Sequence, residues 1–349
     1  MSAASGRVVG VGDHFIVKYG AFVNLQEGET MLFLKQSTTV PVPRIYALYQ
    51  RPGPDKHTYS YIVMERIRGP TLASVWSKMG QAAKEAVSSN LRLVFGEMRK
   101  LKSPGGYCSF GHRGLLDGLF ESEDHSKPFN GPFDTESDLN EAMVARYVKE
   151  GLSIYKAEHF SRAFGDVFQN HAPVFTHADF QRKNIMFRNP LTTTENSQVQ
   201  WDTTDLELVI IDWEFSGWYP SYWEYSRALF GCGAWRDDWS YWIERTLEPF
   251  RSEYAWLYAF WSPYVLLGPL SWWDWYSCAP TYELVSSSVR LHTAAFSPLH
   301  ATACHCMPRW NGLERNYHRE YYWGGGIDGS RCILSDAEQA DGNDTYDAL

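Results

Sequence analysis

The chain has 349 residues, six cysteines and a formal charge of −9. That length holds about two ordinary domains and can bury a core without covalent staples. The acidic balance argues against a nucleic-acid partner, whose phosphates would be repelled. The cysteines, at positions 108, 232, 278, 304, 306 and 332, lack the C-x2-C spacing of a metal knuckle. Reduced thiols, and a start without an uninterrupted apolar stretch, lead to the expectation of a cytoplasmic protein with no secretory signal.

In chain order, residues 8–11 and 15–18 alternate as two short strands. Gly12-Asp13 between them suits a tight hairpin. Gly10-Val11-Gly12 lacks the further glycine of a phosphate-cradling loop. Residues 24–35 read as a helix, with Leu25, Met31, Leu32 and Leu34 apolar, and Pro41 and Pro43 forbid its continuation. Residues 61–65 read as a buried strand leading into a polar connector, 66–69. Val87, Leu91, Val94, Met98 and Leu101 form one stripe of an amphipathic helix. The stretch 103–132 is rich in Gly, Pro, Ser and Asp and is expected to be a long surface excursion. Two further helices are expected over 142–148 and 152–168, broken near Gly151.

The chemistry is concentrated further on. His177-Ala178-Asp179-Phe180-Gln181-Arg182-Lys183-Asn184 precedes a short strand, Ile185–Phe187. A second strand, 206–211, ends at Asp212-Trp213-Glu214. An antiparallel hairpin of these two strands would set Asn184 beside Asp212. One carboxylate, Asp179, and two oxygen ligands, Asn184 and Asp212, are what phosphoryl transfer from ATP with Mg²⁺ requires. The first orients an attacking hydroxyl, and the others hold the cation against the phosphates.

Residues 254–273 carry no charge, a run long enough to span a bilayer as a helix. Pro263, Gly268 and Pro269 interrupt it. Eleven of the fifteen tryptophans fall between Trp213 and Trp275, so buried aromatic helices are expected rather than a membrane span. The tripeptide 324–326 and the acidic residues 336–347 suggest a poorly ordered tail. His300, Cys304, His305 and Cys306 match no structural zinc spacing.

The segments 177–185, 210–217, 219–220 and 223–225, with 38–43 and 131–133 upstream, carry a resemblance. Over roughly residues 8–275 the chain resembles the aminoglycoside phosphotransferase family, to which choline kinases are related, in the wording of a branch common in fungi. The resemblance implies an α+β fold of the protein-kinase-like type in two lobes. Residues 1–67 would form a small antiparallel sheet with one helix, plus the hinge. Residues 68–280 would form a larger, mainly helical lobe, and 281–349 a tail. It implies that Lys18 meets the α- and β-phosphates of ATP and that Glu27 holds Lys18. It implies that the Glu65 carbonyl and the Ile67 amide meet adenine, that Asp179 orients the acceptor hydroxyl, and that Asn184 and Asp212 bind Mg²⁺. His177 would tie its loop to the strand below, and Arg182 or Lys183 would add positive charge near the transferred group. Glu214 would either approach the metal or substrate or order Trp213, the second being favoured.

By the same resemblance, the helices over 221–274 would shape the acceptor pocket. Their acids (Glu224, Asp237, Asp238, Glu244, Glu248, Glu253 and Asp274) and their aromatic residues favour an amino-alcohol as the small-molecule hydroxyl acceptor. Asp-Phe-Gly and Ala-Pro-Glu are missing, which argues against a protein kinase. A catalytically inactive kinase-like module that binds nucleotide or a partner is the alternative reading.

Overall fold

The computed structural model describes residues 6–53, 56–120, 129–189, 206–233 and 235–267. All of them belong to the first of two compact units, Met1–Val289. The part of the chain beyond them includes the glycine-rich and acidic tail, the His300–Cys306 group, residues 268–273 of the uncharged run and most of the loop after Phe187.

The N-terminal part is a four-stranded antiparallel sheet with one helix. The strands are β1 Arg7–Val11, β2 Phe15–Gly20, β3 Ile45–Pro52 and β4 Thr58–Glu65, in the order β1-β2-β4-β3. Gly12 opens the β1–β2 turn at φ 59, a left-handed conformation that costs glycine nothing sterically. The helix α1, Gln26–Ser37, starts two residues later than the apolar pattern suggests. Asn24 Oδ1 accepts from the Gln26 N–H at 3.0 Å, and such local bonding draws Asn out of a helix and in front of it. Gly28 lies where α1 crosses β3, and any side chain there would run into Leu48. Strand β3 was not anticipated. It ends in Gln50-Arg51-Pro52, is irregular between Ile45 and Ala47, and is half exposed, as suits an edge strand.

The larger part is mainly helical. It contains α2 Leu72–Val75, α3 Gln81–Met98, α4 Glu136–Lys149, α5 Ile154–Val167, α6 Trp223–Phe230, α7 Trp239–Thr246 and α8 Arg251–Leu267. The stripe Val87, Leu91, Val94 and Met98 of α3 is buried, and Ser88 meets Thr246 of α7 at 3.0 Å. α4 begins six residues ahead of the expected start because Thr135 and Asp138 cap it reciprocally. The break before α5 falls at Gly151, φ 74. Among the described residues no helix is long and apolar enough to cross a membrane. A small antiparallel sheet of β5 Cys108–Ser109, β6 Pro173–Thr176 and β9 Gly217–Pro220 runs in the order β5-β9-β6. A hairpin of β7 Ile185–Phe187 and β8 Leu208–Ile210 completes the set. The two-lobed α+β arrangement is the one expected.

One expectation fails. The stretch 103–132, as far as it is described, is not a surface excursion. Tyr107, Cys108, Leu115, Leu119 and Phe120 are buried, and β5 is hydrogen-bonded to β9. The glycines and serines there report turns, while the apolar residues between them supply core. Asp117 is buried too, because Arg227 pairs with it at 2.9 Å and the Leu119 N–H and Trp223 indole N–H donate to it. A buried ion pair needs such extra bonds to repay its lost hydration.

His171, just before β6, joins three distant pieces. Its Nδ1 is 2.7 Å from Glu136 at the start of α4, its Nε2 is 3.4 Å from Glu253 in the first turn of α8, and its carbonyl accepts from the Tyr107 hydroxyl at 2.6 Å. Burial works against the charged imidazolium, but the two glutamates outweigh it and raise its pKa above the ordinary value. A raised folded-state pKa stabilises the fold fully below the unfolded value, about 6.5, and the gain is lost as pH rises through the folded pKa. The urea midpoint of the wild type should therefore carry a decline as pH rises above about 6.5 that His171→Gln lacks. Parallel profiles for the two proteins would show that His171 contributes nothing by its charge.

Candidate active site

Lys18 pairs with Ile62 across β2 and β4, so its side chain leaves the sheet on the face that buries Ile62. There its Nζ meets Glu27 of α1 at 2.8 Å, Asp212 just after β8 at 2.9 Å and Glu214 at 3.0 Å. Burial opposes the ammonium charge, but Asp212, Glu27 and Glu214 outweigh it and hold the pKa of Lys18 well above its usual value. Asp212 is held below the usual carboxylate range despite burial, chiefly by Lys18. Glu27 and Glu214 move the other way. Burial raises both, the neighbouring acids add to it, and Lys18 only partly opposes the rise. Three carboxylates on one ammonium leave surplus negative charge. Oxygens of Glu27, Asp212 and Glu214 lie within 4.8 Å of one another, a donor set that suits a hard divalent cation.

The second half of the site is the loop after β6. Ala178 is left-handed, φ 66, as is Asp212, φ 67. Asp179 is nearly buried, and both its oxygens are engaged. Oδ1 accepts from Gln181 Nε2 at 2.5 Å, and Oδ2 accepts from Asn184 Nδ2 at 2.7 Å. Asn184 Nδ2 also donates to the Asp179 carbonyl at 2.9 Å. His177 Nδ1 accepts from the Asp179 N–H at 3.2 Å, so its Nε2 carries the proton donated to the Ile211 carbonyl at 2.9 Å. The tie between loop and strand runs through that bond. The hairpin pairs Ile185 with Ile210, and the Ile211 N–H donates to the Asn184 carbonyl at 2.9 Å. Asn184 thus stands against the residue that precedes Asp212.

Lys18, Glu27 and Asp212 therefore form one cluster, Asp179 and Asn184 a second, and the Asn184–Ile211 bond joins the two loops. Glu65 ends β4, three residues along from Ile62. Its carboxylate takes Arg188 at 2.5 Å and the Arg44 N–H at 3.1 Å. Ile67 is half buried in the connector, where Arg66 reaches back to the β1–β2 turn by bonding the Gly12 carbonyl at 2.8 Å.

The structure narrows three secondary assignments. Glu214 faces Lys18. Trp213 is held instead by its indole bond to the Ile210 carbonyl at 2.9 Å and by burial. The signal for Glu214 was its place two residues past Asp212, in the same turn. Arg182 points away from Asp179, to Asp237 at 2.6 Å and over the rings of Trp76 and Trp239. Lys183 stays near, 3.4 Å from Asp179. Among the acids expected to meet an amine, Asp237 takes Arg182, Asp238 takes Lys84, Glu244 takes Arg251 and Glu253 approaches His171. Glu224 is buried against backbone, and Asp274 lies outside the described residues. These pairs remove much of the motive for an amine-bearing acceptor.

Residues 21–263, well over half of the chain, match the model of a family described as the phosphotransferase enzyme family. The chain belongs to that family. No curated protein matches this phosphotransferase. Among solved structures, a thermostable mutant of aminoglycoside phosphotransferase APH(4)-Ia is similar at 13% identity and a TM-score of 0.47, over 78% of this chain and 91% of that one. The GDP complex of wild-type aminoglycoside 2'-phosphotransferase-IIIa is similar at 15% and 0.47, over 77% and 84%. A GDP and kanamycin complex of APH(2")-IIIa is similar at 14% and 0.45, over 79% and 89%. Identities this low leave nucleotide and acceptor to the residues of the site.

The charge imbalance has a direct consequence. Lys18→Met removes the counter-charge and leaves three partly or fully buried acids together. Breaking such a group costs about 3–5 kcal/mol. The loss in unfolding free energy should be largest near neutral pH and should shrink as acidification neutralises the carboxylates. A deficit of the same size at all pH values would show that Lys18 acts by packing alone.

Proposed function

We propose that this phosphotransferase moves the γ-phosphoryl group of ATP, with Mg²⁺, to a hydroxyl of a small molecule. One observation supports the reading above the others. Residues 18, 27, 179, 184 and 212, far apart in sequence, converge as a caged lysine and a carboxylate–amide pair on two adjoining loops.

The roles follow from donor chemistry. Asp179, ionised, has room for about four hydrogen bonds. Gln181 and Asn184 fix its two oxygens, leaving acceptor capacity for an incoming hydroxyl. As the acceptor oxygen bonds to the γ-phosphorus and the bond to the β-phosphate breaks, the hydroxyl proton passes to Asp179. Both amide hydrogens of Asn184 are spent on Asp179, so its side-chain oxygen is the end left for a cation. With Asp212, and with Glu214 beside it, this gives the oxygen-only set that a hard cation prefers. Bound there, Mg²⁺ would neutralise charge building on the phosphates. Lys18 would turn part of its charge from the acids to the α- and β-phosphates, while Glu27 keeps it in place. Glu65 and Ile67 would offer backbone groups to the adenine edge. We take residues 1–67 as the nucleotide lobe with its hinge and 68–280 as the catalytic lobe.

The test is Mg²⁺-dependent ATP consumption by the full chain against amino-alcohols, their deamino counterparts, sugars and aminoglycosides. Asp212→Asn should abolish turnover. Asp179→Asn should lower it by about 10²–10⁴, the usual worth of a placed base. Near-normal turnover in either variant rejects the assignment of that residue. ATP binding without turnover toward any acceptor would favour a nucleotide-binding module instead.

A further inference from the structure

We infer that Trp76, Trp239 and Asp237 form a cation cage whose occupant is the chain's own Arg182, and that this occupancy makes Arg182 a positioning residue for Asp179. The positioning role rests on the reading of Asp179 as the group that orients the acceptor.

The segment after Ala178 alternates in direction. Gln181 has extended backbone, φ −131 and ψ 153, and its Nε2 turns back to donate to Asp179 Oδ1. Lys183 turns the same way, its Nζ 3.4 Å from Asp179 Oδ2. Phe180 and Arg182 turn the other way, and both meet Trp239 at the start of α7. The ring centres of Phe180 and Trp239 are 5.6 Å apart. The guanidinium carbon of Arg182 lies 5.5 Å from the centre of the Trp239 ring. It lies 5.4 Å from that of Trp76, which opens the turn Trp76–Lys78 after α2. The two indoles stand nearly perpendicular, 83° apart with centres 5.0 Å from one another, so they make a corner. Asp237 closes it. Its Oδ2 accepts from Arg182 Nη2 at 2.6 Å, and its Oδ1 accepts from the Trp239 N–H at 3.0 Å.

The walls of the corner are held without help from Arg182. Both indoles are buried. Asp238 accepts from the indole N–H of Trp76 at 2.9 Å and from that of Trp242 at 3.0 Å, and Lys84 of α3 pairs with it at 2.8 Å. Two aromatic faces with a carboxylate recognise a guanidinium or an alkylammonium group. The rings matter more than the ion pair, because Asp237 is half exposed and water screens it. A flat guanidinium also stacks on an indole in a way an ammonium does not. An amine of an acceptor cannot use this cage, since residue 182 fills it.

Emptying the cage would release the residue that stands between the two partners of Asp179. Gln181 and Lys183 would lose their common anchor, and the carboxylate they touch would lose its fixed surroundings. Displacing a reacting group by about 1 Å can cost on the order of a hundredfold in rate. Lys18, Glu27 and Asp212 have no bond to Arg182, Trp76 or α7 among those described, so nucleotide binding and chemistry should respond separately.

The experiment uses the full chain with Arg182→Ala, which empties the cage, and Arg182→Met, which fills it with an uncharged chain. Melting temperature, kcat and Kd for Mg²⁺-ATP are read with and without methylguanidinium, a free copy of the missing head group. A concentration of about 10 mM exceeds the Kd of even a roughly millimolar ligand. Arg182→Ala should lower kcat by about a hundredfold and leave Kd within about twofold of wild type. Methylguanidinium should recover at least about tenfold of that loss, the lower worth of a charge-assisted contact. It should raise the melting temperature of Arg182→Ala alone, because the cage is already filled in the other two proteins. Arg182→Met should lower kcat by at least about tenfold, with no rescue. If Arg182→Ala does not fold, Arg182→Met decides by its kcat and Kd. Unchanged kcat in the folded variants overturns the proposal, and so does a Kd weakened as much as kcat is lowered, the mark of a purely structural residue. Methylguanidinium without effect on Arg182→Ala overturns the cage. A melting temperature that rises with no gain in kcat overturns the positioning role. A wild type that binds ATP without consuming it overturns the reading of Asp179 instead, and the melting temperatures then decide alone whether Arg182 occupies a cage.

Discussion

A single ammonium group has to balance three carboxylates where little water reaches. Removing that many charges from solvent is unfavourable unless they oppose one another at close range. The geometry around Lys18 meets this condition with three partners from two separate places: α1 through Glu27, and the turn after β8 through Asp212 and Glu214. Neither the sheet, the helix nor the hairpin can shift alone without stranding a buried charge. The cluster is thus both the chemical centre of the small lobe and its mechanical link to the hairpin of the larger part.

The larger part solves a different problem, which is to hold a short loop in a conformation its residues do not prefer. Three anchors hold the segment from His177 to Asn184. His177 is pinned to the end of β8, Asn184 to the carboxylate it supports, and the peptide of Ala178 to α6. The aromatic residues around it make the platform. Trp213 lies against His177 with ring centres 4.6 Å apart, and Phe180 packs edge-on against Phe95 of α3. Tryptophan and phenylalanine bury large areas with few rotatable bonds, so they hold position at low entropic cost. The heavy use of tryptophan after Trp213 is a packing device in the described residues.

Much of this was legible beforehand, where a local pattern and the tertiary outcome agree. The alternation of β2, the prolines beyond α1, the stripe on α3 and the β-branched run into Asp212 each carry their signal within a few residues. Lys18 and Glu27 needed the family resemblance, since a lysine on a strand is ordinary by itself. What escaped was set by distant partners. β3 is a strand because β4 lies beside it, and β5 because β9 does. Asp117 is buried because Arg227 waits for it. Glu214 looked like support for its neighbour because nothing local announces a lysine 196 positions away. The start of α4 was readable from Thr135-Glu136-Ser137-Asp138, a capping signature that apolar periodicity passes over.

The separation of Lys18 from its acids also bears on how the chain is made. Glu27 is only nine residues further on, and β1 to β4 close on one another within the first 65 residues. Asp212 lies 194 positions beyond Lys18. At about 5–20 residues per second on the ribosome, roughly 10–40 s pass between the two. During that interval the first sheet can assemble with Lys18 answered by a single glutamate, one cation to one anion, a balanced pair. The surplus negative charge arrives only with the turn that completes the site. The nascent small lobe is therefore electrostatically calmer than the finished protein, and the tension at its centre is introduced last.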